Sequence, residues 1–299
     1  MKKRDRKRIR QVKPEPIQIR NTGFNLGMEL AHQNPETDYV LGAASQKCLA
    51  EMPTGIRHIY LPSGELQFGR EDFMDCVSRS INNTLATKFN YLLTNKLISE
   101  ELIKWLGDKG YITESGVDFS DRFLAIKSKT SRSGNSLIQP LQTVHSVGAI
   151  PKSLLPASSD MDFDTYHNPA SITKEMEDLG LEFLKRFNIN YEKVYASQFE
   201  NFLQRDMLHT AGYSWSQPEG GIYPRVDYPF NHSFQVYEPL YFAFDNYFDE
   251  GRTGDWIKQL ASNYNLIDPS YRLIITLNTT KPKGTTWKQL LRWFGFVVI

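Results

Sequence analysis

The sequence predicts an α+β fold, in which a helical part and an antiparallel sheet part follow one another along the chain. Three observations predict it. In the first third, Val77, Ile81, Leu85, Phe89, Leu92 and Leu93 recur at three- and four-residue spacing, the period of a helix with a buried face. In the last third, Asn231 to Asn246 alternates small or polar residues with large apolar ones around Glu238-Pro239, and Tyr271 to Leu277 repeats the alternation, which is how strands lying on a core read. Finally, 299 residues with 40% apolar and 13% aromatic content suffice to bury a large core.

Taken in order, residues 1–10 carry seven Lys or Arg against one Asp, and Lys13-Pro14-Glu15-Pro16 follows. Residues 1–20 therefore read as a basic extended arm: either a solvated tail, or a segment lying on a protein neighbour or making non-specific phosphate contacts through residues 1–10. From Ile17 to about Phe73 the chain is rich in turn residues with short apolar runs, an extended lead-in. The helix that follows has Asp75 at its N-cap position. A second helix is expected over Glu100–Leu106 before Gly107, and a third over Leu137–Val147, ending at Gly148. Pro151 to Asp164 reads as a loop, 171–187 as an insertion helix, and Gln198–Leu208 as a further helix. Trp215, Gly220 and Gly221 precede His232 in a stretch suited to one wall of a groove. At the end, Trp287, Leu290, Leu291 and Phe294 share a helical face. That segment is too short to span a bilayer, so it docks on a partner or on its own domain.

The chemistry-bearing residues lie at the element boundaries. With a two-residue turn at Glu238-Pro239, Tyr237 faces Leu240 and His232 lies directly opposite Asp245, Cβ atoms about 5 Å apart. A carboxylate beside an imidazole fixes its tautomer and stabilises its charged form, although such a pair can also be ordinary sheet-edge polarity. Cys76 falls in the first turn of its helix, where the dipole and the unpaired amide groups favour thiolate; burial in an apolar site does the opposite. A cysteine at a helix start, a histidine opening a strand and a carboxylate or amide closing the next strand are the parts of a thiol nucleophile machine.

Other classes are disfavoured. Net charge is +1, so no global field argues for nucleic acid or membrane. Two cysteines give neither a disulfide framework nor metal-ligand spacing, and no cofactor or metal is expected. Cys48 reads as a small buried residue and His145 as a core or surface histidine. His167 and His209 lack ligand spacing. Asp160, Asp162 and Asp164 alternate as in a calcium loop but lack its glycine and closing glutamate. The basic start has no apolar run of a signal peptide, and no run of eighteen apolar residues occurs. The expectation is a soluble protein without a membrane span, cytoplasmic or virion-associated.

These residues carry a resemblance. Asp75-Cys76-Val77-Ser78, Phe119 to Ala125, Asn231-His232 and Phe244-Asp245-Asn246-Tyr247, with Tyr39 to Ala43 ahead of them, resemble the papain-like cysteine peptidases, especially the divergent group in tailed-phage and uncultivated bacterial genomes. The match spans roughly 37–278 and omits both termini. It implies a papain-like domain over 21–278: a helical part at about 72–150 with the nucleophile, an insertion at about 151–190, and a β part at about 191–278 with the base. Residues 279–299 form an amphipathic tail. It further implies Cys76 as nucleophile, His232 as general base and acid, and Asp245 or its neighbour Asn246 as the orienting residue. Papain itself uses an amide there. Gln67, nine positions before Cys76 and farther than papain's spacing, is the candidate oxyanion donor. The papain Cys-Gly-Ser-Cys-Trp surround and disulfides are absent. The implied activity is hydrolysis of peptide or amide bonds in a peptide or protein substrate, and transglutaminase-like acyl transfer would use the same residues. The alternative is a structural or assembly protein, a phage virion component, that keeps the fold as a scaffold and docks on protein neighbours through its termini.

Overall fold

The computed structural model describes residues 49, 51–213, 218–227, 229–247 and 256–278. The basic arm, Tyr39 to Ala43, Cys48, Trp215 and the C-terminal tail lie outside these described residues.

Within them the chain is α+β, as expected. The helical half comprises α1 (Cys76–Thr94), α2 (Glu100–Asp108), the short ribbon of β1 (Ile112–Thr113) and β2 (Gly116–Val117), α3 (Asp121–Lys127), α4 (Ile138–Val147), α5 (Phe163–Tyr166) and α6 (Lys174–Leu184). The second half comprises β3 (Phe187–Val194), α7 (Phe199–Leu203), β4 (Leu208–Gly212), β5 (Ile222–Tyr223), β6 (His232–Glu238), β7 (Phe242–Phe244), β8 (Ile257–Leu260) and β9 (Ser270–Leu277). Seven strands form one sheet in the order β3-β9-β4-β6-β7-β8-β5, antiparallel throughout except for the edge pair β5 and β8, which is parallel.

The organising element is α1, which packs against β6, β4 and β9 on one side and α3 and α4 on the other. Its sequence predicts one buried face; in the structure nearly every residue from Cys76 to Leu92 is buried. The polar residues on its remaining faces therefore need partners. Asn82 donates to Asp121, Asn83 to Asn246, Gln235 to Thr87, and Lys88 reaches Asp206. On the apolar side Phe89 meets Phe119, Phe183 and Phe187 with ring centroids 5.0 to 5.6 Å apart, joining helices to sheet in one core.

Local signals set most helix ends. Ser120 caps α3 by accepting from the Phe123 N–H at 3.1 Å, and Thr173 rather than Ser171 caps α6, as short hydroxyl side chains do at helix starts. Gly148 ends α4 at φ 76°, and a Cβ there would sit 2.0 Å from the Gly180 carbonyl oxygen. Only glycine fits that helix crossing.

Two expectations fail. The helix over 198–208 is only α7, because Leu208 to Gly212 is a fully buried central strand. A short apolar run does not by its period separate buried helix from buried strand. The hairpin turn is also longer than expected. Glu238 pairs with Phe242 while Val236 pairs with Ala243, so Tyr237 bulges, and the chain reverses through Leu240 and Tyr241, both at positive φ. Leu240 is 68% exposed instead of facing Tyr237.

Candidate active site

The hairpin register moves His232 by two positions. Gln235 lies opposite Phe244, so counting back puts His232 across from position 247, and Asp245 becomes its diagonal neighbour on the same face. The two side chains still meet, with the His232 Nε2–H donating to Asp245 Oδ1 at 2.6 Å. A carboxylate can only accept in that bond, so the neutral ring keeps its proton on Nε2 and presents a basic lone pair at Nδ1. The second carboxylate oxygen takes the Lys258 ammonium at 2.6 Å, and the Asn246 N–H bonds Oδ1 at 2.7 Å. The side chain of Asn246 points elsewhere, accepting from Asn83 and donating to the Glu65 carbonyl.

Cys76 opens α1 beside this pair. The Ser233 backbone N–H, next to His232 in the chain, donates to Cys76 Sγ at 3.4 Å. Asp75 occupies the N-cap position, but its side chain makes no cap bond. It turns instead to Arg79, at 2.8 Å, and to the Tyr166 hydroxyl. The first-turn N–H groups of the helix are thus not engaged by that side chain, which suits them to receive negative charge.

Gln67 also reaches the site. Its backbone N–H donates to the Asn246 carbonyl at 3.1 Å, and its Nε2 donates to Asp72 Oδ1 at 2.9 Å and to the Tyr247 hydroxyl at 3.2 Å. Tyr247 in turn donates to Asp72 Oδ2, and its ring packs on the imidazole with centroids 4.9 Å apart. Asp72 also accepts from the Met74 N–H at 2.7 Å, in a loop where Met74 adopts φ 54°. A left-handed non-glycine residue is a point of stored strain close to Cys76.

Cys76, His232, Asp245 and Gln67 each have 0% exposure. Burial pushes the Cys76 thiol well up from its ordinary range; the Ser233 N–H pulls it back a little, and Asp72, Asp75 and Asp245 push it further. The helix-start effect expected to favour thiolate is therefore overridden by desolvation in this closed state. For Asp245, burial works to raise the carboxyl, but Lys258 and then His232 outweigh it and hold it well below the usual carboxylate range. Burial raises Asp72.

The fold is similar to that of several solved cysteine proteases. Xylellain, a cysteine protease from Xylella fastidiosa, aligns at 13% identity and TM-score 0.48 over 84% of this chain and 95% of that one. Digestive procathepsin L2 from Tenebrio molitor larval midgut aligns at 10% identity and TM-score 0.49, covering 84% and 78%. The Amb a 11 cysteine protease of ragweed pollen, in its proform, aligns at 12% identity and TM-score 0.44, covering 78% and 67%. No protein-family model and no curated protein matches the sequence.

The remaining candidates are spread through the structure. His145 bonds the Ile189 carbonyl and His167 the Phe73 carbonyl, each at 2.7 Å. His209 meets Ser80 inside the core, where burial lowers its pKa to about 3. Asp162 caps α5, Asp160 accepts from Ser158, and Asp164 pairs with Arg132. Among the described residues no group of three His, Cys, Asp or Glu could hold a metal, and no helix is long and apolar enough to cross a membrane.

Asp72, Tyr247 and Lys258 were missed by sequence reasoning. Tyr247 stands in the quoted Phe244-Asp245-Asn246-Tyr247 stretch, but its role follows from packing. Lys258 had a faint signal: Ile257-Lys258-Gln259-Leu260 forms a strand with Lys258 and Leu260 buried, and alternation puts those two on one face, so a charge points inward.

Proposed function

We propose that the chain is a papain-like thiol hydrolase that cleaves peptide or amide bonds through an acyl-enzyme on Cys76. His232 takes the thiol proton and later delivers it to the leaving amine. Asp245 holds the imidazole through Nε2, and the Gln67 amide with the first N–H groups of α1 receives the oxyanion. The 21–278 segment is the catalytic domain in this reading, and its substrate is a peptide or protein. The observation that carries the proposal is the Ser233 N–H on Cys76 Sγ at 3.4 Å, which joins the helix-start thiol to the strand whose preceding residue, His232, is held by Asp245 at 2.6 Å.

In this reading, turnover requires the Asp72, Tyr247 and Gln67 cluster to part, freeing the amide for the oxyanion, and the buried thiol to become accessible. Iodoacetamide labelling of the full chain at neutral pH, mapped by mass spectrometry, tests the reading together with hydrolysis of a peptide library. Cys76 should label faster than Cys48, and Cys76→Ala should lower hydrolysis by roughly four orders of magnitude or more. Equal labelling of the two cysteines, with hydrolysis intact in Cys76→Ala, rejects it.

The complete burial of Cys76 and His232 favours one second reading: a structural or assembly protein, such as a phage virion component, that keeps the fold closed and docks on neighbours through residues 1–20 and 279–299. Deleting residues 1–20 or 287–299 should then abolish assembly while the melting transition stays in place. Assembly unchanged in both truncations rejects this alternative.

A further inference from the structure

We propose that Lys258 is a positioning residue of this site, whose ammonium cancels the charge of Asp245 so that His232 is oriented by an acceptor of no net charge and can release its proton. The inference rests on the reading of His232 as the base.

The geometry is specific. Lys258 lies on β8 opposite Ala243 of β7, and β7 separates it from the strand of His232. It is 3% exposed, and its Nζ reaches Asp245 Oδ2 at 2.6 Å and the Tyr247 carbonyl at 2.5 Å. Asp245 Oδ1 is shared by the imidazole and the Asn246 N–H. The two carboxylate oxygens are therefore divided in role, one orienting the ring and the other meeting the ammonium. A lysine is an expensive way to fill an inward strand position, since its desolvation is offset only by a good partner.

The electrostatic consequence follows from the low local dielectric. An isolated buried carboxylate 2.6 Å from an imidazole stabilises the imidazolium strongly and makes it a reluctant proton donor. With Lys258 in place the pair sums to zero, and the orienting hydrogen bond is kept without the full charge. Among the described residues, the ionisable groups of this cluster are Asp245 and Tyr247 beyond β7, Lys258 on β8, Cys76 at the start of α1, Asp72 and Asp75 just before it, and Tyr264, whose hydroxyl Asp245 pushes up. Of these, Lys258 is the one permanent cation. Its strong pull on the Asp245 carboxyl accords with this role.

The test is an NMR titration of the His232 ring in the full chain, run with Lys258→Met and with the double variant Asp245→Asn/Lys258→Met, alongside the pH profile of Cys76 alkylation by iodoacetamide. Lys258→Met should move the His232 midpoint upward and carry the basic limb of the alkylation profile with it. The double variant, neutral again, should bring both back. An unchanged or lower midpoint in Lys258→Met overturns the proposal, because a purely structural lysine would alter stability and leave the midpoint in place. Should Lys258→Met not fold, Lys258→Gln keeps a donor without the charge and carries the same prediction. A midpoint that moves while Cys76 stays inert at every pH upholds the role of Lys258 and rejects the thiol-hydrolase reading.

Discussion

Two buried carboxylates in the sheet half are built almost alike and differ in one partner. Asp206 gives Oδ1 to the Lys88 ammonium at 2.5 Å and to the Met207 N–H at 2.8 Å, and Oδ2 to Arg272 at 2.6 Å. Asp245 gives Oδ1 to His232 and the Asn246 N–H, and Oδ2 to Lys258 at 2.6 Å. Each therefore takes the N–H of the following residue and two basic side chains. Around Asp206 both bases are permanent cations, and Arg272 carries on to Glu192 and Glu51. Around Asp245 one of the two is an imidazole, which can lose its charge. The first arrangement ties α1 to the sheet at any ordinary pH. The second can change state, which a catalytic site requires and a structural tie does not.

The largest effect should come from breaking the permanent tie. Asp206→Asn leaves the Lys88 ammonium, fully buried, facing an amide, and takes away one of the three carboxylates that Arg272 meets. Losing one partner of a buried pair typically costs about 3–5 kcal/mol. Urea denaturation at pH 7 should show a loss in that range. A loss below about 1 kcal/mol would mean that the two carboxylates are not the structural and functional versions of one motif.

Asp245→Asn should cost less, about 2 kcal/mol at pH 7, because the imidazole can shed its proton and only Lys258 is then left with a neutral partner. Its cost should also depend on pH. The Asp245 carboxyl is held well below its ordinary range in the fold, so its pairing is fully present above the unfolded-state value of about 4 and is lost progressively as pH falls from there through the lower folded-state value. Denaturation at pH 7 and at pH 3 should therefore show a narrower gap between wild type and variant at the acid end. A gap of the same size at both pH values would assign the loss to packing instead of charge.

How much of this is legible in the sequence depends on the range of the interaction that decides each feature. The apolar spacing of α1 and the stop at Gly148 are local, and both can be read. So can the meeting of His232 with Asp245, because the longer turn and the bulge at Tyr237 together shift the register by two and side-chain alternation still puts both on one face. A bulge carries no composition of its own, so the shift itself is invisible. Leu208 to Gly212 is buried at every position, and a fully buried strand has no polar alternation to distinguish it from a helix. The burial of Cys76 and the roles of Asp72, Tyr247 and Lys258 come from contacts across more than a hundred residues, or across strands whose order the sequence does not state.

The smallest expected effect concerns how the titratable site, unlike the permanent tie, is kept shut. The Tyr247 hydroxyl donates to Asp72 and accepts from Gln67, and Asp72 anchors the Met74 N–H in its left-handed conformation. Tyr247→Phe keeps the ring on His232 and deletes only the hydroxyl, a change of about 1 kcal/mol. The loop before α1 should then open more often while the global fold hardly changes, since local openings have free energies of their own below that of unfolding. A difference of about 1 kcal/mol corresponds to roughly fivefold in the open population, so Cys76 alkylation at fixed pH should quicken by about that factor, with amide exchange quickening at 72–76 and not in β4. No equivalent substitution around Asp206 should produce exposure without unfolding, because both of its cations sit in regular elements. If Tyr247→Phe leaves the alkylation rate unchanged, the hydroxyl is not the catch, and the Asp72 loop is held by its backbone alone.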